Sequence, residues 1–495
     1  MKKDTISAPK QATIYIKDEI NCVISGLSKG DNKFFYDELG IFTDGHFFNH
    51  KFKAGLWDGK AHFYSKTGVT YVKLLDIIIP HLVAFGYKIN LLDKRTAPSV
   101  DNFPIIDEMY FNHVWDERGG KNYVLEDHQV KAVNLAIDNG GGIIEASTGA
   151  GKTIICASIS RLYNEHAGWK TITIVPNTNL VDQTKKQFQI MGLDVSSFDG
   201  RSKKLSNNVI STWQTLNHNP EILKLFNVII VDECHTTQAK CLFDLIRSTG
   251  SNATVVIGVT GSIPKGEVNS TMLKAALGDV IYQIPAHVLI QKGWLATPNI
   301  TIYQVKDWDV VDEEHPIKKI KNYEYALETN YLRTDVNRND VIVDLIMEKS
   351  ESGNALILVG SVPYGKKLAK MIPGAYFVHG KDDIEVRQKV YDLFETMDGI
   401  KVVATIQVAG VGISIDRIFN LFCVDLGKSF VKIIQAIGRG LRKGRDKDSV
   451  NVHDICSDLK YSKKHLTERV KYYREAKYQY TKIIIPLEKK YVDNE

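Results

Sequence analysis

The chain has 495 residues, 44% of them apolar, and a formal net charge of +5. That length suits about three domains of roughly 150 residues each, with apolar content ordinary for a globular protein. The charge is too small to define an anionic partner, the six cysteines form no C-x-x-C pair and so argue against a disulfide framework or zinc site, and no stretch approaches the roughly 20 apolar residues of a membrane helix.

The opening MKKDTISAPK has two lysines and no apolar run behind them, so no secretory signal is expected. Scattered cysteines suit a reducing cytoplasm. Residues 1–98 read as a small α+β module. Ala12-Thr13-Ile14-Tyr15-Ile16-Lys17 alternates, hairpin signals cluster around Gly40, Gly45, Gly55 and Gly59, and residues 72–87 run like a helix. Between them, Phe47-Phe48-Asn49-His50-Lys51-Phe52-Lys53-Ala54-Gly55-Leu56-Trp57-Asp58-Gly59-Lys60 interleaves aromatic with basic residues. Such a stretch can stack bases and neutralise phosphates, with Lys51, Lys53, Trp57 and Lys60 as DNA contacts. It can also be a small core anchored by Trp57 beside a tight Asp58-Gly59 turn. Residues 99–122, with Pro104 and Gly119-Gly120, read as a linker.

Residues 123–296 alternate short β-branched runs with helical patterns: GGIIEA, TITIVP, NNVIST, FNVIIVDE and TVVIGVTG. These are the marks of buried parallel strands with crossover helices. The first run leads into Ala146-Ser147-Thr148-Gly149-Ala150-Gly151-Lys152-Thr153, a P-loop whose first glycine is Ala146. Thr148, Gly149, Ala150 and Gly151 turn backbone N–H groups toward phosphate oxygens. Lys152 reaches the β- and γ-phosphates, and the Thr153 hydroxyl holds Mg²⁺. Asp232 ends the run Val228–Val231, and Glu233 follows. The pair supplies a second magnesium anchor in Asp232 and a carboxylate in Glu233 to orient an attacking water.

Residues 297–495 restart the rhythm with ITIYQV, ALILVG, AYFVHG, IKVVAT, NLFCVD and VNVHDI, so a second α/β sheet is expected, with the break near Pro298. Gln435, Arg439 and Arg442 fall at i, i+4 and i+7, one face of a helix. Such a stripe is a solvated face, or it serves the nucleotide of a P-loop domain by stabilising charge on the transferred phosphoryl group.

Asp232-Glu233-Cys234-His235 with the P-loop resembles the DExH group of superfamily 2 helicases. Further motifs follow in order from Gln129 to Arg442. Gln129 resembles the adenine-reading glutamine of the Q motif; the family often has tyrosine before it, where this chain has His128, and Tyr123 is an alternative stacking ring. Val175-Pro176-Asn177-Thr178 and Ser211-Thr212-Trp213-Gln214-Thr215 resemble strand-binding motifs. Thr260-Gly261-Ser262 resembles the coupling motif, Ala404-Thr405 through Gly412-Ile413 motif V, and Gln435 through Arg442 motif VI. The resemblance implies two tandem RecA-like domains, ATP and Mg²⁺ as cofactors, Gly412 at the nucleotide, and Pro176, Thr178, Thr212, Gln214 and Thr405 along a DNA strand.

The Phe52-x-x-Gly55-x-Trp57-Asp58-Gly59 pattern and Tyr472-Tyr473-Arg474 are similar to phage UvsW-type helicases. That implies a monomeric, 3′-5′ helicase of the host cytoplasm that takes single-stranded and branched or forked DNA in recombination and fork repair. A DExH RNA helicase uses the same motor, and a basic strand-annealing protein with a vestigial nucleotide site is the non-enzymatic alternative.

Overall fold

The computed structural model describes residues 10–95, 103–116, 120–234, 239–249, 253–264, 266–309, 324–406, 417–427 and 448–487. The chain forms two compact units, Met1–Ile284 and Pro285–Glu495.

In the first unit a parallel sheet runs in the order Val195–Phe198, Asn208–Thr212, Thr171–Val175, Val228–Asp232, Val255–Thr260, Gly141–Ala146 and Val280–Ile284. Its central strands are buried on both faces, as continuous β-branched runs require. Parallel pairing brings the carboxyl ends of the strands to one edge. Asp232 therefore pairs with Val259, and Thr260 with Glu145, one residue before the P-loop.

The N-terminal module has a four-stranded sheet ordered Val69–Tyr71, Asn21–Ser25, Lys10–Ile16 and Tyr87–Asp93, with helices Lys29–Glu38 and Leu75–Ala84. A hairpin, Gly40–Phe42 against Lys60–His62, frames the aromatic-basic stretch. The module shares one hydrophobic core with the large sheet, reaching from Ile14 and Leu74 to Phe243 and Leu277. The Tyr71 and Phe243 rings meet edge-on at 5.2 Å, and Asn21 Nδ2 donates to the Arg247 carbonyl at 3.2 Å. Lys274 pairs with both Asp76 and Asp279.

The described part of 99–122 packs down as well. Phe111 is fully buried, Phe103 meets Tyr163 edge-on at 5.1 Å, and Ile106 exchanges two backbone bonds with the Asn134 amide. Burial of this kind ties the chain to helices Asp127–Asp138 and Lys152–Ala167.

The second unit repeats the plan: Tyr376–Val378, Lys401–Thr405, Ala355–Val359, Asn420–Val424, Ser449–Ser457, Thr297–Val305 and Tyr480–Ile485, all parallel. Pro298 is the second residue of its strand. The two sheets are the tandem RecA-like domains that the motif order implies. Among the described residues no helix is long and apolar enough to cross a membrane.

Candidate nucleotide site and strand-contact residues

The P-loop turns through Gly149 at φ 91° and Gly151 at φ 78°, left-handed conformations that favour glycine. Gly151 is the N-cap of helix Lys152–Ala167 and brings no side chain to it; Ile154 N–H donates to the Gly151 carbonyl at 2.9 Å, so the earlier N–H groups of this turn are the ones an anion would meet. Thr148, Lys152 and Thr153 are partly buried, and Ala150 is buried.

Three motifs converge on one lysine. Lys152 Nζ lies 3.2 Å from Glu233 Oε1 and donates to the Ala146 carbonyl at 3.4 Å. Gly261 N–H, from the Thr260-Gly261-Ser262 segment, donates to Glu233 Oε2 at 3.4 Å. Thr260 is fully buried and its hydroxyl donates to the Ser262 carbonyl, which shapes this turn. Glu233 sits at φ 52°, a left-handed conformation that costs a non-glycine residue energy and is retained where the surroundings impose it. Its N–H donates to Asp232 Oδ1 at 3.0 Å, which fixes the Asp232 carboxylate at the strand end.

Gln129 and His128 lie behind the loop. Gln129 Nε2 donates to the Ala150 carbonyl at 3.3 Å, its Oε1 accepts from Glu126 N–H at 3.1 Å, and His128 Nε2 contacts the same Ala150 carbonyl at 3.0 Å. Both side chains are buried. The glutamine thus braces the P-loop and completes a capping box with Glu126.

Burial raises the thiols of Cys156 and Cys234, and the nearby carboxylates add to the effect: Asp232 at Cys156, Glu233 and Asp232 at Cys234. Both are inert protonated packing groups, so the chemistry rests on oxygen and nitrogen side chains.

The residues expected along a strand separate into two sets. Thr178 is exposed at the start of helix Thr178–Ile190. Gln214 is exposed too, and its Nε2 donates to the Pro176 carbonyl at 3.4 Å. Thr212 is only 2% exposed, because its hydroxyl caps helix Trp213–His218 by accepting from Thr215 N–H. Thr405, also 2% exposed, ends its strand inward. These two side chains are not presented at the surface.

In the N-terminal stretch Lys51 and Lys53 are exposed on the short helix His50–Lys53, and Lys60 Nζ lies 5.0 Å over the Phe42 ring. Trp57 turns its Nε1–H onto the Lys60 carbonyl at 2.9 Å. Its polar edge therefore closes the turn. Gly412, Gln435, Arg439 and Arg442 lie outside the described residues.

A buried ion-pair network in the second unit escaped the motif reading. Arg338 is fully buried, forks onto Asp425 at 2.6 and 2.7 Å, and reaches Asp307 at 3.1 Å. Asp425 is left-handed at φ 47°, and Arg469 donates to the next carbonyl, Leu426, at 2.7 Å. Arg338 holds the Asp425 side chain and Arg469 the Leu426 carbonyl where the chain leaves strand Asn420–Val424. A sequence signal existed: Arg338 stands in the apolar stripe of Ile342, Leu345 and Ile346.

Residues 122–265 match the family model of the type III restriction enzyme res subunit, and residues 337–444 match the helicase conserved C-terminal domain. With two parallel sheets, a P-loop and the Asp232-Glu233 pair, the chain is a superfamily 2 helicase, an enzyme class that uses ATP. It is 26% identical over 482 residues to the ATP-dependent DNA helicase uvsW of Enterobacteria phage T4, covering 90% of this chain and 93% of that one. It is 22% identical over 422 residues to the DNA 3'-5' helicase XPB of Mycobacterium tuberculosis, covering 82% and 73%. Among solved structures, S. cerevisiae Dbp5 bound to RNA and ADP BeF3 shares the fold, with a TM-score of 0.53 and 17% identity over 73% of this chain and 90% of that one.

Proposed function

We propose that this protein is an ATP-dependent DNA helicase that unwinds or branch-migrates forked and junction DNA in recombination and fork repair, moving 3′-5′. The observation that carries the reading is the convergence of Lys152, Glu233 and Gly261 in a unit that also holds the aromatic-basic module in its core. Similarity to a DNA helicase of phage T4 and to a 3'-5' DNA helicase supports the choice of DNA and of polarity.

In this reading the P-loop amides and Lys152 bind the phosphates, and Glu233 orients the water. Arg439 and Arg442, with Gln435, stabilise charge on the transferred group. Gln129 serves the ATP site by bracing the P-loop from behind, and Gly412 completes the ATP contacts. The Thr153 hydroxyl and Asp232 carboxylate are hard oxygen donors that fit Mg²⁺, which supplies charge neutralisation at the β- and γ-phosphates when bound. Pro176, Thr178 and Gln214 line the strand path, Thr212 and Thr405 support it from beneath, and Lys51, Lys53, Trp57 and Lys60 serve the junction. The protein works as a monomer in the cytoplasm.

The test is ATP-dependent unwinding of forks, four-way junctions and tailed duplexes side by side, with ATPase stimulation by DNA and by RNA in parallel. Stimulation by RNA alone replaces this reading with an RNA helicase. DNA annealing without turnover replaces it with a strand-annealing protein.

A further inference from the structure

We propose that Phe47 and Phe48 form a base-stacking tip that meets the branch-point base pair of a DNA junction; the proposal rests on the DNA reading above. Phe47 is 64% and Phe48 81% exposed, and Leu56 beyond them is 80% exposed. Three large apolar side chains standing in water in one short stretch mark a contact surface.

The rings are held out by a rigid turn. His46, Phe47 and Phe48 form one 3₁₀ turn entered through Gly45 at φ 72°. Phe48 N–H donates to the Gly45 carbonyl at 2.9 Å, and Asn49 N–H to the His46 carbonyl at 3.0 Å. Beneath them the His46 ring stacks on Phe42 at 4.7 Å, packs against Phe47 at 3.8 Å, and meets the edge of Phe52 at 4.9 Å. Its Nδ1 is 2.8 Å from the Thr43 carbonyl. The tip therefore keeps its shape before any ligand arrives, which lowers the ordering cost of binding.

Charge selects the occupant. Lys51 and Lys53 are exposed immediately after the tip. The two acidic residues of the stretch are directed elsewhere: Asp58 pairs with His62 at 2.7 Å, and the Asp44 carboxylate lies 3.4 Å from where a Cβ on Gly266 would stand. Exposed π faces beside unopposed cations suit a stacked base with its phosphates. Trp57 has its indole N–H committed to the turn, so the stacking role falls to the phenylalanines.

The hairpin that carries the tip also packs on the motor, strand Gly40–Phe42 lying against helix Glu267–Leu277. Gly266 is the N-cap of helix Glu267–Leu277, a few residues beyond the Thr260-Gly261-Ser262 segment whose Gly261 N–H reaches Glu233.

The experiment uses the full chain and a fork carrying 2-aminopurine at the branch-point pair. Parent protein without ATP should raise the fluorescence by unstacking that base. The Phe47→Ala/Phe48→Ala variant should lose the signal and unwind forks about tenfold more slowly, on the scale of base–aromatic stacking. Its thermal unfolding and its ATPase on single strands should match the parent, and Phe47→Tyr/Phe48→Tyr should restore fork unwinding. A double variant that opens forks as fast as an active parent overturns the tip alone. Equal loss of fork and single-strand activity in a folded variant also overturns it, since the rings would then serve the motor or another partner. A parent inactive on all branched DNA overturns the functional reading and the tip with it.

Discussion

Lys152 Nζ and Glu233 Oε1 stand 3.2 Å apart, and the other Glu233 oxygen holds Gly261 N–H. One carboxylate thus links the phosphate-seeking lysine to the coupling segment. In the proposed function, a phosphate oxygen at Lys152 would replace Glu233 as its counter-ion and free the carboxylate for water. Glu233→Gln should therefore bind ATP at least as tightly as the parent and hydrolyse it far more slowly. Lys152→Ala should abolish turnover and leave DNA binding intact. Nucleotide affinity, turnover and DNA binding measured separately check both; parallel collapse of DNA binding in Lys152→Ala would defeat this division of labour.

Gly151 offers a sharper probe of the loop. A Cβ there would stand 2.2 Å from Gln129 Nε2, and the residue sits at φ 78°. The left-handed conformation costs an L-residue about 1–2 kcal/mol, and the amide must also move. Gly151→Ala should weaken ATP binding about tenfold or more. Adding Gln129→Ala should recover only part of the loss, because the backbone term remains. Full recovery in ATP titrations would assign the whole effect to the clash.

The central strands were legible because a strand covered on both faces reads as an unbroken β-branched run, as in Val228–Val231. The edge strand Tyr376–Val378 was legible too, but two others were not: Val195–Phe198 has serines in its middle, and Tyr480–Ile485 begins with Tyr480-Thr481-Lys482. Site residues close in sequence, such as Asp232 and Glu233, carry a signature. The Glu233 to Gly261 bond and the Asp44 approach to Gly266 depend on strand order and module packing, which no local pattern encodes. Thr212 shows the limit at one residue. Its hydroxyl suits a phosphate contact or a helix cap, and burial spends it on the cap.

Arg439 and Arg442 are assigned to transition-state charge. Replacing either with alanine should keep ATP affinity and slow hydrolysis by about 10³ or more, the scale of arginine fingers. Single-turnover rates at saturating ATP give the comparison. Unchanged rates in both variants would remove these two arginines from the chemistry.

His453 gives the second unit a pH dependence. Burial, with Lys349 nearby adding to it, pushes its pKa down to about 4. Its ring stacks on Phe422 at 4.4 Å. The unfolded chain takes up this proton near pH 6.5 and the folded chain only near 4. Stability is therefore fully present above about 6.5 and is lost as pH falls toward 4, by up to about 1.4 kcal/mol per pH unit. Hydrogen exchange of Ser449–Ser457 should accelerate across that window, and His453→Phe should flatten the response. The same slope in both proteins would place the titration elsewhere.

In the proposed function, Lys51, Lys53 and Lys60 would direct the motor to branched DNA rather than power it. The proposed nucleotide groups of the first unit gather at Lys152, Asp232 and Glu233, whereas these lysines lie on the hairpin framed by Gly40–Phe42 and Lys60–His62. The module shares a core with the motor sheet, so it can take the arms of a junction while the motor grips a strand. Lysine contacts to phosphates release counter-ions, so their contribution falls as salt rises. Replacing all three with alanine should leave ATPase on single strands unchanged and reduce unwinding of forks and four-way junctions. Three lost phosphate contacts should lower the slope of log affinity against log salt by about 2.7 on duplex arms. Trp57→Ala is a poorer probe, because its N–H closes the Lys60 turn and its loss disturbs the hairpin itself. If the triple variant processes junctions like the parent across a salt series with an unchanged slope, these lysines touch no phosphate.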